Sequence, residues 1–490
     1  MHRYLYFFLI VSSVIFGDEP SPWTSANEKW KTTEHSITVD GEPINYTANA
    51  GFLDLHDKEG KVVGQIFFTA YFKTGAKSEE RPITFAFNGG PGSSSVWLHI
   101  GALGPKRILN CEEGQMATPP YSWTTNNETI LDITDLVFID PVGTGFSRPH
   151  ANTDKQFYEV RKDFESVGEF IRDFITLFDR WDSPKYLAGE SYGTTRAAGL
   201  SQYLHENLGI YLNGIVFISC AIDFQTLFFS QGNYLPNVLF VPSFTAAAWY
   251  HQKLQNNGSK SLEKTLEESK HFALHELLPA LYLGKLLPEK EQKQVMNKLS
   301  FYTGIPVKVL QQYYPNFTED QFGKELLKDN LLYLGRMDSR YTAPITNLSR
   351  QKPNSDPSTD AIEGIFTGAF NAYAREELGL TEKYIPYEIL NLSVNSDWVY
   401  TQYTLNTLNT MDALRWSMCI NPDLQIFVGS GYYDLATPFA AADYTFLHLN
   451  LPDSYQDNIL MRYYEGGHMF YLNPNNHKKF KQDLLEFYSK

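Results

Sequence analysis

The sequence predicts an α/β protein with a central, mostly parallel sheet and helices on both of its faces. Between residues 83 and 219, short apolar runs that fit buried strands alternate with longer segments of helical periodicity. Within residues 164–181, one helix face carries Phe164, Val167, Phe170, Ile171, Phe174 and Phe178. Strand rhythm returns at residues 424–428 and 459–463. Such alternation predicts parallel strands joined by helices, with both ends of the chain contributing to one sheet.

The flanking segments complete the predicted organisation. Alternating β-rich runs in residues 36–71 predict an antiparallel start to the sheet. The strand rhythm stops between residues 222 and 400, where residues 260–300 and 359–380 have helical patterns. We therefore expect one domain from residues 18–221 and 401–490, with a mostly helical cap inserted over residues 222–400.

Composition and charge narrow the possible partners. The chain has 490 residues, of which 43% are hydrophobic and 15% aromatic, and this composition is typical of a packed globular protein. Fifty-six acidic residues against 41 basic ones give a net charge of -15. An acidic surface repels phosphate backbones and anionic lipids, so the sequence disfavours nucleic acid and membrane surfaces as partners. The oligomeric state is left open.

The first residues have the pattern of a secretory signal peptide. His2 and Arg3 precede an apolar stretch over residues 4–16, and Gly17 is followed by an acidic segment containing proline. The stretch is short for a transmembrane span. We expect residues 1–17 to be removed, leaving a periplasmic or secreted protein without stable membrane insertion. Export permits one disulfide among Cys111, Cys220 and Cys419, and the pairing stays open.

A nucleophile motif occupies the turn after one predicted strand. Residues 189–193 read Gly-Glu-Ser-Tyr-Gly between an apolar strand and a helix. This G-x-S-x-G elbow exposes its serine on a sharp turn, and the flanking glycines avoid collisions between strand and helix. Ser191 is therefore the candidate nucleophile, and the predicted fold becomes an α/β-hydrolase with an inserted cap.

The base and acid should follow the serine along the chain. His468 lies in a Gly-flanked loop after the strand at residues 459–463, and Asp434 closes a Gly-rich turn after the strand at residues 424–428. These two residues complete the predicted triad. Weaker alternatives are Asp443, Asp453, Asp457, His448 and His477, the last expected at the surface in a basic run.

A second Gly-rich loop covers residues 88–95, directly after the strand at residues 83–87. A loop in this place supplies an oxyanion donor, because glycines let the backbone approach the substrate. The expected donors are the backbone N–H groups of Gly90 and Tyr192. A phosphate-cradling loop is the alternative, but no Gly-Lys-Ser/Thr ending follows.

Four blocks in this order resemble the serine carboxypeptidase family: residues 88–95, residues 140–147 (Asp-Pro-Val-Gly-Thr-Gly-Phe-Ser), residues 189–193 and residues 467–469. The resemblance implies a capped α/β-hydrolase with Ser191, Asp434 and His468 as its triad. It also implies that the Asn88 side chain, the Gly89 backbone and Glu190 bind the free carboxylate of a peptide. A glutamate binds a carboxylate only if one of the two groups keeps a proton, which favours acidic pH.

The sequence departs from the family pattern at three positions. Ala102 stands where many members have an acidic partner for the glutamate, Ala86 where many have tryptophan, and Ser93 where a cysteine is usual. These changes affect carboxylate binding and its pH dependence rather than the triad. They resemble features of a bacterial branch of the family.

We therefore expect a serine carboxypeptidase that releases the C-terminal amino acid from peptides through an acyl-enzyme on Ser191. This reaction needs no metal and no cofactor. One alternative is a related esterase or acyltransferase. Another, from a different class, is a hydrolase-fold binding protein without activity.

Overall fold

A computed structural model describes residues 29–109, 118–150, 153, 156–255, 261–346, 353–381, 385–400 and 407–490. The predicted signal peptide and Cys111 lie outside these residues. Of the described cysteines, Cys220 is buried and Cys419 exposed, and both are free. Within the described ranges, no helix combines the length and apolar character needed to cross a bilayer.

Fourteen strands lie in the described part of the chain. They are β1 (Trp30–Val39), β2 (Glu42–His56), β3 (Val62–Lys73), β4 (Ile83–Phe87), β5 (Lys106–Ile108), β6 (Trp123–Thr125), β7 (Asp135–Ile139), β8 (Arg148–Pro149), β9 (Lys185–Glu190), β10 (Gly214–Ile218), β11 (Leu332–Leu334), β12 (Thr342–Pro344), β13 (Gln425–Gly431) and β14 (Ile459–Tyr464).

The central sheet has the order β1-β2-β3-β7-β4-β9-β10-β13-β14, with β8 paired to β3. Strands β1, β2 and β3 are antiparallel, and β3 also meets β7 antiparallel. From β7 to β14 every pairing is parallel. Both predictions, the antiparallel start and the parallel centre, are confirmed.

Helices cover the sheet and fill most of the region predicted as a cap. They are α1 (Val96–Leu98), α2 (Val160–Leu177), α3 (Tyr192–Leu208), α4 (Leu235–Leu239), α5 (Val241–Tyr250), α6 (Leu262–Phe272), α7 (Leu278–Leu283), α8 (Glu289–Thr303), α9 (Val307–Tyr313), α10 (Glu319–Glu325), α11 (Pro357–Glu376), α12 (Leu392–Asp397), α13 (Met411–Ile420), α14 (Phe439–Leu447) and α15 (Pro474–Tyr488).

The two faces of the sheet carry separate apolar cores because side chains alternate along each strand. Phe85 of β4 packs with Phe174 of α2, in a core that also includes residues of α3. Ala86, the next residue of β4, belongs to the opposite core with α15. The structure is therefore an α/β-hydrolase fold, a parallel sheet between layers of helices.

The region predicted as a cap packs in two ways. Helices α4 to α10 surround a core of their own that includes Phe244, Leu299 and Phe322. Helix α11 instead packs on the sheet side, where the hydroxyl of its Tyr373 hydrogen-bonds that of Tyr71 at 2.6 Å. The boundaries at residues 222 and 400 stay a prediction.

Candidate active site

The predicted nucleophile lies on a strained turn between β9 and α3. Ser191 has φ 58° and ψ -128°, a conformation that side-chain-bearing residues rarely adopt. A Cβ added to Gly189 would overlap the Gly193 carbonyl, and one added to Gly193 would lie 2.8 Å from the Phe87 carbonyl oxygen. The two glycines thus allow the sharp turn, as their spacing predicts.

The end of β10 holds the serine turn and the histidine loop side by side. The N–H of Ser191 donates to Ile218 O at 3.0 Å, and the Ser219 hydroxyl donates to His468 O at 2.6 Å. Ser191 and His468 both line one cavity of about 180 Å³. Residues far apart in sequence therefore meet at the carboxyl edge of the sheet.

His468 is oriented by Asp434, which lies in the turn after β13. The imidazole Nδ1 lies 2.7 Å from Asp434 Oδ2, and both side chains are buried. Asp434 also accepts from the N–H groups of Ala436 (2.7 Å) and Thr437 (2.9 Å) and from the Thr437 hydroxyl (2.6 Å). With Nδ1 donating to this carboxylate, Nε2 is the accepting nitrogen of the neutral ring.

The surroundings of His468 change its affinity for a proton. Burial lowers the pKa of His468, but the charge and hydrogen bond of Asp434 outweigh burial, with a smaller contribution from Glu190. The pKa of His468 is therefore raised above its ordinary value. An imidazole of this kind can take a proton from a nearby hydroxyl and return it later.

The loop after β4 presents the predicted oxyanion donors beside the serine. Gly90 lines the cavity with φ +100°, in the left-handed region that favours glycine. A Cβ on Gly89 would overlap the backbone nitrogen of Tyr192, so these two segments are in close contact. Tyr192 is the first residue of α3, and its N–H therefore has no acceptor within that helix.

Glu190 and Asn88 form the polar wall of the same cavity. The Asn88 amide donates to Glu190 Oε1 at 2.8 Å, and the hydroxyl of Tyr471 donates to Glu190 Oε2 at 2.6 Å. Burial raises the pKa of Glu190 to about 7, although the charge of His468 and these two hydrogen bonds oppose the increase. The three residues that the sequence singled out for carboxylate binding thus lie together, since Gly89 also lines the cavity.

A comparison with protein families gives one decisive result. The family model described as "Serine carboxypeptidase" matches residues 39–473. The chain belongs to the serine carboxypeptidase family.

Individual members of this family match shorter stretches. A pheromone-processing carboxypeptidase kex1 from Schizosaccharomyces japonicus is 28% identical over 197 residues, which is 39% of this chain and 34% of that protein. A carboxypeptidase Y homolog from Arthroderma benhamiae is 32% identical over 174 residues, 35% of this chain and 32% of that protein. The chain spans about a third of the length of each relative.

Among solved structures, a putative lipase from Sulfolobus solfataricus aligns with a TM-score of 0.39 and 12% identity. The alignment covers 94% of this chain and 99% of the lipase.

The family block at residues 140–147 braces the loop that carries Asn88. Asp140 Oδ1 accepts from the N–H and the hydroxyl of Ser95, at 2.9 and 2.8 Å, and from the Tyr387 hydroxyl at 3.1 Å. Burial raises the pKa of Asp140 to about 6. This side chain therefore ties the Gly-rich loop to the segment at residues 385–390.

Sequence analysis missed three residues that support the site. Thr437 binds both Asp434 and His468, Tyr471 binds Glu190, and the buried Arg196 donates to Asn88 O at 2.6 Å while pairing with Asp163 at 2.8 Å. Thr437 and Tyr471 lie three residues after Asp434 and His468, so proximity to the triad was the available signal. Arg196 carried none, because its role depends on a tertiary contact between α3 and the loop after β4.

The alternative triad residues lie in other environments. Asp443 binds Lys270 and the Tyr463 hydroxyl, and Asp453 and Asp457 are exposed. His448 is exposed at the end of α14. The expectation that His477 is a surface residue is wrong: it is buried, and its Nε2 lies 2.7 Å from Ala102 O. Lys478 and Lys479 face outward from α15, whereas His477, like Asn476 and Lys481, turns inward.

Proposed function

We propose that the protein is a serine-type carboxypeptidase that releases the C-terminal residue from peptides. The observation that carries the proposal is the convergence on one cavity of two groups of residues. One group is Ser191 with the His468–Asp434 pair, and the other is Glu190 with Asn88. The first suits acyl transfer, and the second suits recognition of a free carboxylate.

The chemistry proceeds through an acyl-enzyme. Ser191 Oγ attacks the last peptide carbonyl while His468 Nε2 takes the hydroxyl proton. The N–H groups of Gly90 and Tyr192 bind the oxyanion. The C–N bond then breaks, and His468 gives its proton to the departing amino group. Water attacks the Ser191 ester with His468 again as the base, which releases the shortened peptide and restores the serine.

Recognition of the C-terminus requires one shared proton. A substrate carboxylate is ionised above roughly pH 4, so the carboxyl of Glu190 must be protonated to donate a hydrogen bond to it. Burial raises the pKa of Glu190 to about 7, which supports this role from acidic to neutral pH. The Asn88 amide, whose Oδ1 accepts from Leu98 N–H at 3.1 Å, is fixed with its donor toward Glu190.

The proposal includes the predicted setting of the enzyme. The sequence of residues 1–17 supports export to a periplasm or the cell exterior. The separate core of α4 to α10 supports an inserted cap, with residues 18–221 and 401–490 as the hydrolase domain.

Product analysis of a peptide library tests the reaction. We expect the wild type to release single C-terminal residues. In Ser191→Ala the rate of this release should fall roughly 10⁴-fold or more, so that no product is detected. Replacing the terminal carboxylate by an amide should abolish or strongly slow release. Efficient hydrolysis of simple esters with no cleavage of free-acid peptides would contradict the proposal and favour the esterase alternative.

A further inference from the structure

Glu190 is held from two directions by uncharged donors. Asn88 Nδ2 reaches Oε1 from the loop after β4, and the Tyr471 hydroxyl reaches Oε2 from the chain that follows His468. The 2.6 Å O–H···O distance is at the short end of the range for hydrogen bonds between two oxygens. Both Glu190 and Tyr471 are buried, so water does not replace this contact easily.

Tyr471 lies against the segment that contains Ala102. It belongs to the 3₁₀ turn Phe470–Leu472, which packs on the helical turn His99–Leu103. A Cβ placed on Gly101 would lie 3.1 Å from the Tyr471 ring. Ala102 is buried and offers no polar side-chain group, so a phenol in this place supplies a donor to Glu190 where position 102 supplies none.

We propose that Tyr471 is a positioning residue for substrate recognition, whose hydroxyl fixes the carboxyl group of Glu190 for binding the C-terminal carboxylate of a peptide. This inference rests on the proposed carboxypeptidase function. Two donors at opposite oxygens fix the plane of the Glu190 carboxyl, so the proton that it carries has a defined direction toward a ligand. Tyr471 does not touch the reacting atoms and acts through Glu190.

The same hydrogen bond sets the pH range of recognition. A phenol that donates to Glu190 stabilises its charged form and therefore opposes the burial that raises the pKa of Glu190 to about 7. The other ionisable groups that face Glu190 are His468, which lowers its pKa, and Asp434, which raises it. Loss of the Tyr471 hydroxyl should therefore leave Glu190 protonated to a higher pH.

The test compares Tyr471→Phe with Tyr464→Phe. Tyr464 is a matched control, since it is also buried and its hydroxyl donates to a carboxylate, Asp483 Oδ2, at the same 2.6 Å. Each variant is assayed from pH 4.5 to 8.5 on a blocked dipeptide with a free carboxylate and on a blocked amino-acid methyl ester, whose leaving group has no carboxylate.

We expect Tyr471→Phe to raise KM for the dipeptide roughly tenfold at the pH where the wild type is most active, the loss expected for a hydrogen bond to an ionisable group. Its kcat on the dipeptide and its turnover of the ester should change little. The pH above which KM for the dipeptide climbs should move upward. Tyr464→Phe should leave all of these values near those of the wild type.

The outcomes separate the two proposals. A wild type that turns over the ester but no free-acid peptide overturns the carboxypeptidase function itself. If the wild type cleaves the dipeptide and Tyr471→Phe matches the Tyr464→Phe control, or loses both substrates equally while remaining folded by circular dichroism, the role of Tyr471 is overturned.

A second variant decides the case if Tyr471→Phe does not fold. Fluorotyrosine at position 471 keeps the shape of the side chain and makes its hydroxyl more acidic and a stronger donor. The pH limit for dipeptide binding should then move downward, opposite to the effect of Phe, and an unmoved limit would overturn the inference.

Discussion

Two buried carboxyl groups at one cavity are held in different ways. Asp434 accepts from two backbone N–H groups, one hydroxyl and the His468 ring, which becomes a cation in the proposed reaction. Glu190 accepts from one amide and one phenol, both neutral. Asp434 therefore has four donors, one of them able to carry charge. Glu190 has two neutral donors, which do not outweigh the burial that raises the pKa of Glu190 to about 7.

In the proposed mechanism, this difference separates the residues that carry out acyl transfer from those that recognise the substrate carboxylate. The carboxylate of Asp434 lies 2.7 Å from His468 Nδ1 and can stabilise the imidazolium, while a protonated Glu190 can donate a hydrogen bond to an anion. The number and charge of neighbouring groups, rather than the type of side chain, therefore decides which role each carboxyl takes.

Among the variants that test the contrast between Asp434 and Glu190, replacing the Asp434 carboxyl group should change activity the most. Asp434→Asn offers an amide to Nδ1 of His468, which favours the wrong tautomer and no longer stabilises the imidazolium, so kcat should fall roughly 10⁴-fold on peptides and esters alike. Steady-state kinetics on both substrates measures the loss. The control is Asp443→Asn, because Asp443 is also buried but binds Lys270 and the Tyr463 hydroxyl instead of a histidine. If Asp443→Asn lost as much kcat as Asp434→Asn, the loss could not be assigned to the contact between Asp434 and His468.

Replacing Glu190 by Gln should affect recognition and spare the chemistry. The profile of kcat/KM for a free-acid peptide should be bell-shaped in the wild type. Activity is lost as pH falls through the raised pKa of His468, because a protonated imidazole is no base. It is also lost as pH rises through about 7, because ionised Glu190 repels the substrate carboxylate. His468 and Glu190 interact, so the apparent pKa values of the two limbs describe the pair rather than either residue alone.

Glu190→Gln should abolish the alkaline limb, since an amide stays neutral, and should move the acid limb slightly downward, since an amide no longer raises the pKa of His468. Ester hydrolysis should show the acid limb alone in both proteins. An alkaline limb that persists in the variant would assign it to another group and end the contrast between Glu190 and Asp434.

Substitutions of Arg336 should have the smallest effect, a shift of the acid limb of the pH profile. It lines the cavity, and its positive charge lowers the pKa of His468, against the raising effect of Asp434. Arg336→Gln should therefore move the acid limb upward by roughly a few tenths of a pH unit, while Arg336→Lys should not move it. The measurement is ester kcat/KM against pH at low salt, and a shift that is equal in both variants would count against a charge effect.

Local sequence patterns predicted much of the central sheet and the turn that carries Ser191. The alternation of apolar runs gave the parallel strands, and the elbow required its two glycines because a Cβ at Gly189 or Gly193 meets the facing backbone. His477 marks the boundary of this reasoning, since a basic neighbourhood suggested exposure and the fold buries it. Which polar positions of an amphipathic helix turn inward, such as His477 and Lys481 here, is decided by what the helix packs against.

The sequence by itself determined the alternation of side chains along each strand and the strained turn at Ser191 with its flanking glycines. These features depend on steric contacts among a few neighbouring residues. The tertiary structure decided which groups surround Glu190 and Asp434. Tyr471 lies 281 positions from Glu190 along the chain, and Arg196 lies 108 from Asn88. Such pairings depend on how the sheet brings its strand ends together, and the resulting burial and hydrogen bonds set the charge of each carboxyl group.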